Sequence, residues 1–340
     1  MTDLFETMPD APRSRLWRRQ VLGVGAGLVL SPLLGSAARA QTETYPARNV
    51  RITVSAAPGV APDILARQIG QWLGDRLKQS FVIDNRAGGA GIIGNIAAAR
   101  AAPDGYTLLM VDPAVPITAT LYPNSQFDFA RDIAPVAAVA GIFYILAVHP
   151  SVPANNVEEF IDYAKKNPGK INVGSPMIGS ASHVAGEMFK MMAGVNMVHV
   201  PYRGGGGMFA DLVAGQVQAT FATTVSGLQH VKSGKLRALG VTSANRWDRM
   251  PDLPTIGEVV AGYEATSLYG IGSPKDTPVH VIAILNAAIN DALREPQARE
   301  RISEAGGLPL GGSPEQFGTM MTQAIEKWAK VIRDASIKPE

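Results

Sequence analysis

The 340-residue chain has no cysteine. A disulfide framework, a thiolate-ligated metal, a cysteine nucleophile and a lipid-anchored lipoprotein are therefore excluded. No G-x-S-x-G nucleophile elbow and no H-E-x-x-H zinc motif occur, and the five histidines show no paired helical spacing. No apolar run approaches the ~20 residues needed to cross a bilayer. A basic patch is missing too. The first forty residues carry five of the 31 basic and three of the 29 acidic residues, so the remainder is formally neutral, and nothing argues for nucleic acid or an anionic membrane surface as a partner.

What is present is a chain with 46% hydrophobic and 18% charged residues, the composition of a soluble globular protein of two or three domains. Residues 1–40 read as a leader. Arg13, Arg15, Arg18 and Arg19 precede a mildly apolar stretch broken by Gly23, Gly25, Gly27 and Pro32, and Ala38-Arg39-Ala40 offers the small-x-small pattern of a cleavage site. Arg18-Arg19 fits a twin-arginine export signal. The mature chain is then expected in the periplasm.

Beyond the leader, short β-branched runs alternate with helical patterns. Strands are expected at 50–54, 81–84 and 106–111, with helices at 64–77 and 92–100, then a proline-rich connection. A second series follows the apolar run 133–148: helices at 157–166, 182–192 and 208–214, strands at 170–174, 197–200, 216–221 and 236–242. This rhythm predicts βαβ units in two α/β modules, whose ligand crevice lies at the carboxyl ends of parallel strands. Helices at 279–293 and 314–334 carry apolar residues at core spacing, among them Leu285, Ile289, Trp328 and Ile332.

Three patterns bear on chemistry. Gly89, Gly91 and Gly94 follow a strand and open a helix, the spacing of a dinucleotide fingerprint. An exported NAD(P)-dependent oxidoreductase is the alternative reading they support, although any βαβ turn needs similar glycines. The other two patterns are similar strand-to-helix loops, one per module: Ser55 to Asp63 with Gly59 and Pro62, and Gly174 to His183 with Gly179, Ser180 and Ser182. Each exposes amides at a positive helix end, a ready anion site. His183 reads as a helix cap or interface residue and His199 as a satisfied core histidine, neither with an evident carboxylate partner. A third possibility is an interaction protein with no ligand.

Several blocks together resemble Bug-type extracytoplasmic receptors, the solute-binding proteins of tripartite tricarboxylate transporters. They are Tyr45-Pro46 through Ile52-Thr53-Val54, the stretch Asp63-Ile64-Leu65-Ala66-Arg67, Asp84-Asn85-Arg86 into the glycine turn, Pro103-Asp104-Gly105-Tyr106, His199-Val200-Pro201-Tyr202-Arg203-Gly204, Asp211 to Val217, Ser233 to Leu239, and Leu253-Pro254-Thr255-Ile256-Gly257-Glu258. The resemblance spans the mature chain and makes the glycine turn a family feature. It implies an α/β, two-lobed, type II-like Venus-flytrap fold without enzymatic activity or cofactor. Lobe 1 would comprise residues 41–143 and 262–340, and lobe 2 residues 144–261.

The resemblance further implies that the two loops grip a small carboxylated solute through Ala57, Gly59, Val60, Ala61 and Asp63 on one side and Ser175, Ile178, Gly179, Ser180 and Ala181 on the other. Tyr202, Thr118 and Tyr144 would border the cleft. Expected partners are an organic acid and a membrane transporter or sensor, with the receptor itself a monomer. The chain departs from the family pattern at Ala56, Val60 and Pro62, and at Pro176 and Met177. Because Pro62 has no amide proton, the second loop is expected to hold more of the carboxylate, through Ser175 and Ser180.

Overall fold

The computed structural model describes residues 45–339; the leader, its arginine pair and its cleavage site lie outside them. Strand β1 (Val50–Val54) buries Val50, Ile52 and Val54. Helix α1 (Ala61–Leu77) has Pro62 in its first turn, where the missing amide would have had no helical partner. It stops at Lys78, whose left-handed backbone returns an amide to the Gly74 carbonyl. Strand β2 (Phe81–Asn85), helix α2 (Ile92–Ala99) and strand β3 (Thr107–Val111) complete the first unit, and β1 pairs in parallel with both β2 and β3.

The glycine turn before α2 serves packing. A Cβ on Gly94 would sit 2.8 Å from both Ser55 Cα and the Arg86 carbonyl, so only glycine lets the helix lie this close to the end of β1. The expected proline-rich connection is instead helix α3 (Ala114–Leu121). Its Pro116 falls within the first turn, where no helical amide is lost. Asp112 Oδ1 accepts the Ala114 amide at 2.9 Å and so starts the helix.

After a short helix α4 (Phe129–Asp132), the apolar run forms one strand, β4 (Ile133–Val148), buried along nearly its whole length. Helix α5 (Val157–Lys166), strand β5 (Asn172–Ser175), helix α6 (Ala181–Ala193), strand β6 (Val198–Pro201), helix α7 (Gly205–Val213), strand β7 (Ala219–Thr223), helix α8 (Thr224–Lys232) and strand β8 (Arg237–Val241) follow. The chain closes with strand β9 (Thr266–Pro274), helix α9 (Val279–Arg294), helix α10 (Pro296–Glu304), strand β10 (Gly307–Pro309) and helix α11 (Pro314–Asp334). Helices α8 and α10 and strands β9 and β10 were not evident from periodicity.

The strand order is β2-β1-β3-β9-β4-β7-β5-β6, with β8 and β10 also on β4. The sheet is mixed rather than parallel throughout, because β9 runs antiparallel to β3 and β4, and β4 antiparallel to β7 and β8. Residues 133–143 of β4 pair with β9, whereas Tyr144 to Val148 pair with β7 and β8. One strand thus serves both halves of the sheet. Pro135, which cannot donate to a ladder, lies where the β4–β9 register shifts.

One core gathers Ile52, Leu73, Met110, Ile271 and Leu285. Another gathers Phe160, Phe189, Phe221 and Tyr263, and takes Trp328 and Ile332 from α11. The first half of α11 packs Phe317 and Met321 against Leu109 and Val111. The C-terminal helix therefore enters both sides of the molecule. Among the described residues, no helix is long and apolar enough to cross a membrane.

Candidate ligand-binding cleft

A cavity of about 500 Å³ opens where four helices begin, a volume usual for small-molecule sites. Gly59, Val60, Ala61 and Pro62 enter from the start of α1, Pro176 and Ser182 from that of α6, Gly205 and Gly206 from that of α7, and Thr223 and Ser226 from that of α8. The leading amides of a helix have no helical acceptor and its dipole is positive there. At α1 and α7 the cap residues Val60 and Gly204 form no side-chain cap bond, so no cap side chain competes for those amides. Among the described residues, no charged side chain lines the cavity.

The structure places the residues singled out in the sequence in two groups. Gly59, Val60 and Ala61 line the cavity. Asp63 is turned inward instead: its carboxylate accepts from Arg67 at 2.9 and 3.0 Å, from Asn85 Nδ2 at 3.0 Å and from the Gly59 amide at 2.9 Å. The guanidinium of Arg67, aided by these amides, holds the carboxyl at about 2 despite its burial. Asp63 thus shapes the loop, and it occupies the Gly59 amide. Ala57 is exposed and is not among the lining residues.

In the second loop, Pro176 and Ser182 line the cavity while Ser175, Ile178, Gly179, Ser180 and Ala181 do not. Ser175 Oγ meets His199 Nε2 at 2.7 Å and donates to the Met177 carbonyl at 3.0 Å. Ser180 caps α6 by accepting the His183 amide at 3.2 Å. The Gly179 amide donates to His183 Nδ1 at 3.0 Å, and a Cβ there would lie 2.5 Å from Leu121 Cδ1. These hydroxyls and amides build the loop.

Tyr202, Thr118 and Tyr144 are likewise outside the lining set and satisfied internally. The Tyr202 hydroxyl donates to Asp211 at 2.7 Å, and burial followed by that carboxylate pushes it up to about 12. Thr118 Oγ1 donates to the Ala114 carbonyl at 2.7 Å. The buried Tyr144 hydroxyl bonds Ser267 Oγ.

Sequence reasoning did not single out the α7 and α8 starts. The signals were there: four glycines at 204–207 before a helical pattern, and Thr223-Thr224 directly after a strand, the same strand-to-helix turn as the two recognised loops. Nor did it pair His183 with Glu187. The two lie four residues apart on α6 with His183 Nε2 3.7 Å from Glu187 Oε1, and Lys190 closes on the same carboxylate at 2.8 Å. Burial pushes Glu187 up, while His183 and Lys190 pull it down and prevail.

The family model described as "Tripartite tricarboxylate transporter family receptor" matches residues 65–337. The chain belongs to this receptor family. The receptor is 33% identical to Protein BugT of Bordetella pertussis, across 89% of this chain and 94% of that protein. It superposes on R. palustris Rpa4515, solved with adipate, with a TM-score of 0.78 and 35% identity, covering 87% of this chain and all of the other. MatC of Rhodopseudomonas palustris, solved with malate, aligns with a TM-score of 0.72 and 27% identity over 85% of this chain and all of MatC. The fold is thus the two-lobed α/β architecture of periplasmic solute-binding proteins, and the receptor is not an enzyme. The oxidoreductase alternative gains no support: Gly91 and Gly94 are taken up by contact with Ser55, and Asp112 is buried under the start of α3.

Proposed function

We propose that the receptor binds a small organic carboxylate in the periplasm and hands it to a membrane transporter or sensor. The observation that carries this reading is the convergence of four helix starts on one cavity that, among the described residues, has no charged lining side chain, and that offers positive dipole ends and the uncapped amides of α1 and α7. Direct contact is assigned to the amides around Val60 and Ala61 and to those of Gly205 and Gly206. Asp63, Ser175, Gly179, Ser180 and Tyr202 hold the loops that carry those donors.

In this reading lobe 1 comprises residues 41–143 and 262–340 and lobe 2 residues 144–261, and the receptor works as a monomer. Closure about the β4 and β9 crossings is driven by the ligand's preference for the closed form. Residues 1–40 direct export by the twin-arginine route, so Arg18→Lys with Arg19→Lys leaves precursor in the cytoplasm; normal periplasmic yield excludes that route.

The central test is thermal unfolding of the purified mature chain with a panel of organic acids. At a hundredfold excess over its dissociation constant, a true ligand adds about 2.7 kcal/mol. A panel of carboxylates without any shift refutes the reading.

A further inference from the structure

Resting on the carboxylate reading, we infer that the ligand's body between or beyond its carboxylates is apolar and bears no hydroxyl groups, so that the receptor selects simple aliphatic or aromatic acids over hydroxy acids. Apart from the helix starts, the cavity wall is built of Ile64, Leu65, Ile142, Met208, Phe209 and Val225. These side chains can cover a hydrocarbon body but, the weakly accepting Met208 sulfur apart, offer no hydrogen-bonding group, and that sulfur already takes the Thr220 hydroxyl.

The lining serine and threonine hydroxyls are already engaged within the protein. Ser182 Oγ donates to the Phe221 carbonyl at 2.7 Å, and Thr223 Oγ1 and Ser226 Oγ bond each other at 2.7 Å. Gln68 also lines the cavity, and its Oε1 is buried without a partner, so it is, among the described residues, the one lining side chain with a polar group left over. A hydroxyl on the ligand would therefore give up water for a wall that is mainly apolar and poor in free polar partners.

The mouth supports the same conclusion. Val60, Ile64 and Val225 are 45%, 40% and 54% exposed, on α1 from one side and α8 from the other. An apolar ligand body is what would cover them as the lobes close. At roughly 30 Å³ per water, about 500 Å³ holds some seventeen waters, room for an acid well beyond four carbons.

The test is calorimetric titration of the mature chain with succinate, malate and tartrate, which share four carbons and two carboxylates but carry none, one and two hydroxyls, and with adipate. Malate should bind at least about fivefold more weakly than succinate, and tartrate weaker again. Adipate should bind more tightly than succinate by about fourfold for each added methylene. Ile64→Asn and Val225→Ser, both at exposed positions, should narrow the succinate-to-malate ratio toward unity.

Malate or tartrate binding as tightly as succinate, or adipate no tighter than succinate, overturns the inference while the carboxylate reading stands. An unchanged ratio in both variants overturns it as well, because these side chains are the ones said to discriminate. Failure of all four acids to bind at millimolar concentration removes the inference together with the reading beneath it.

Discussion

The imidazole rings of His183 and His199 lie face to face, 3.6 Å between centroids and 12° from parallel. Ser175 Oγ ties His199 to the second loop and His183 Nδ1 takes the Gly179 amide, so the pair anchors that loop from behind. Two stacked rings this close cannot both carry a proton cheaply. Burial, then the neighbouring His183, lowers His199 to about 4, with Lys190 acting in the same direction and Glu187 against it.

The pH dependence follows with a definite sign. An unfolded histidine titrates near 6.5, so between 6.5 and about 4 the unfolded chain binds a proton that the folded chain refuses. Stability therefore falls on acidification through that window, by at most about 1.4 kcal/mol per pH unit for one proton. His199→Gln should lose less stability than the parent between pH 7 and pH 4.5 in urea melts. Parallel losses would show that His199 is not the group responsible.

Gly206 offers a way to close the cavity without harming the fold. It lines the cavity, and a Cβ there meets nothing within 4 Å. Gly206→Ala should keep or raise stability, by up to about 1 kcal/mol from reduced freedom of the unfolded chain. Gly206→Leu should weaken binding of the best acid more than tenfold with the melting temperature preserved. Undiminished binding by the leucine variant would move the ligand elsewhere.

Gly306 is the opposite case. Its φ is +68°, and a Cβ would lie 1.6 Å from Thr224 Oγ1, whose hydroxyl donates to the Ala305 carbonyl at 2.6 Å. Neither a side chain nor a small shift fits. Gly306→Ala should cost about 2 to 4 kcal/mol, combining backbone strain with overpacking, measured as a lowered urea midpoint with an unchanged slope.

Asp63→Ala should cost about 1 to 3 kcal/mol at neutral pH, since it strands the Gly59 amide, Asn85 Nδ2 and Arg67. Because the native carboxyl titrates near 2 rather than at its ordinary 3.8, its contribution is complete above about pH 4 and is lost as pH falls toward 2. The gap between parent and variant should narrow over that range. A constant gap would mean that the carboxylate's charge does not hold the loop.

The βα rhythm of the first three strands was readable because β-branched runs and helical spacing alternate cleanly there. The α1 loop was readable through Gly59 and Pro62. Helix α3 was hidden by Pro113 and Pro116, which signal a break unless the first turn is recognised as tolerant of proline. Strand β9 was hidden because Tyr269-Gly270-Ile271-Gly272 mixes glycines into an apolar run. Those glycines are needed there: a Cβ on Gly270 would lie 2.3 Å from the Phe317 ring, a contact 47 positions away that no local pattern reports. The cleft was half legible for the same reason. Single loops announce themselves by spacing, but the meeting of α1 with α7 and α8 is decided by which strands β4 joins.

Helix α11 makes the two halves of the molecule inseparable as folding units. Its early residues complete the packing beside β3, and Trp328 and Ile332 complete the packing around Phe189. Cutting the chain at the switch in β4 would leave one fragment with an uncovered apolar stripe and the other with a hole where a tryptophan belongs. Heating should accordingly melt both halves of the sheet together in a single calorimetric transition.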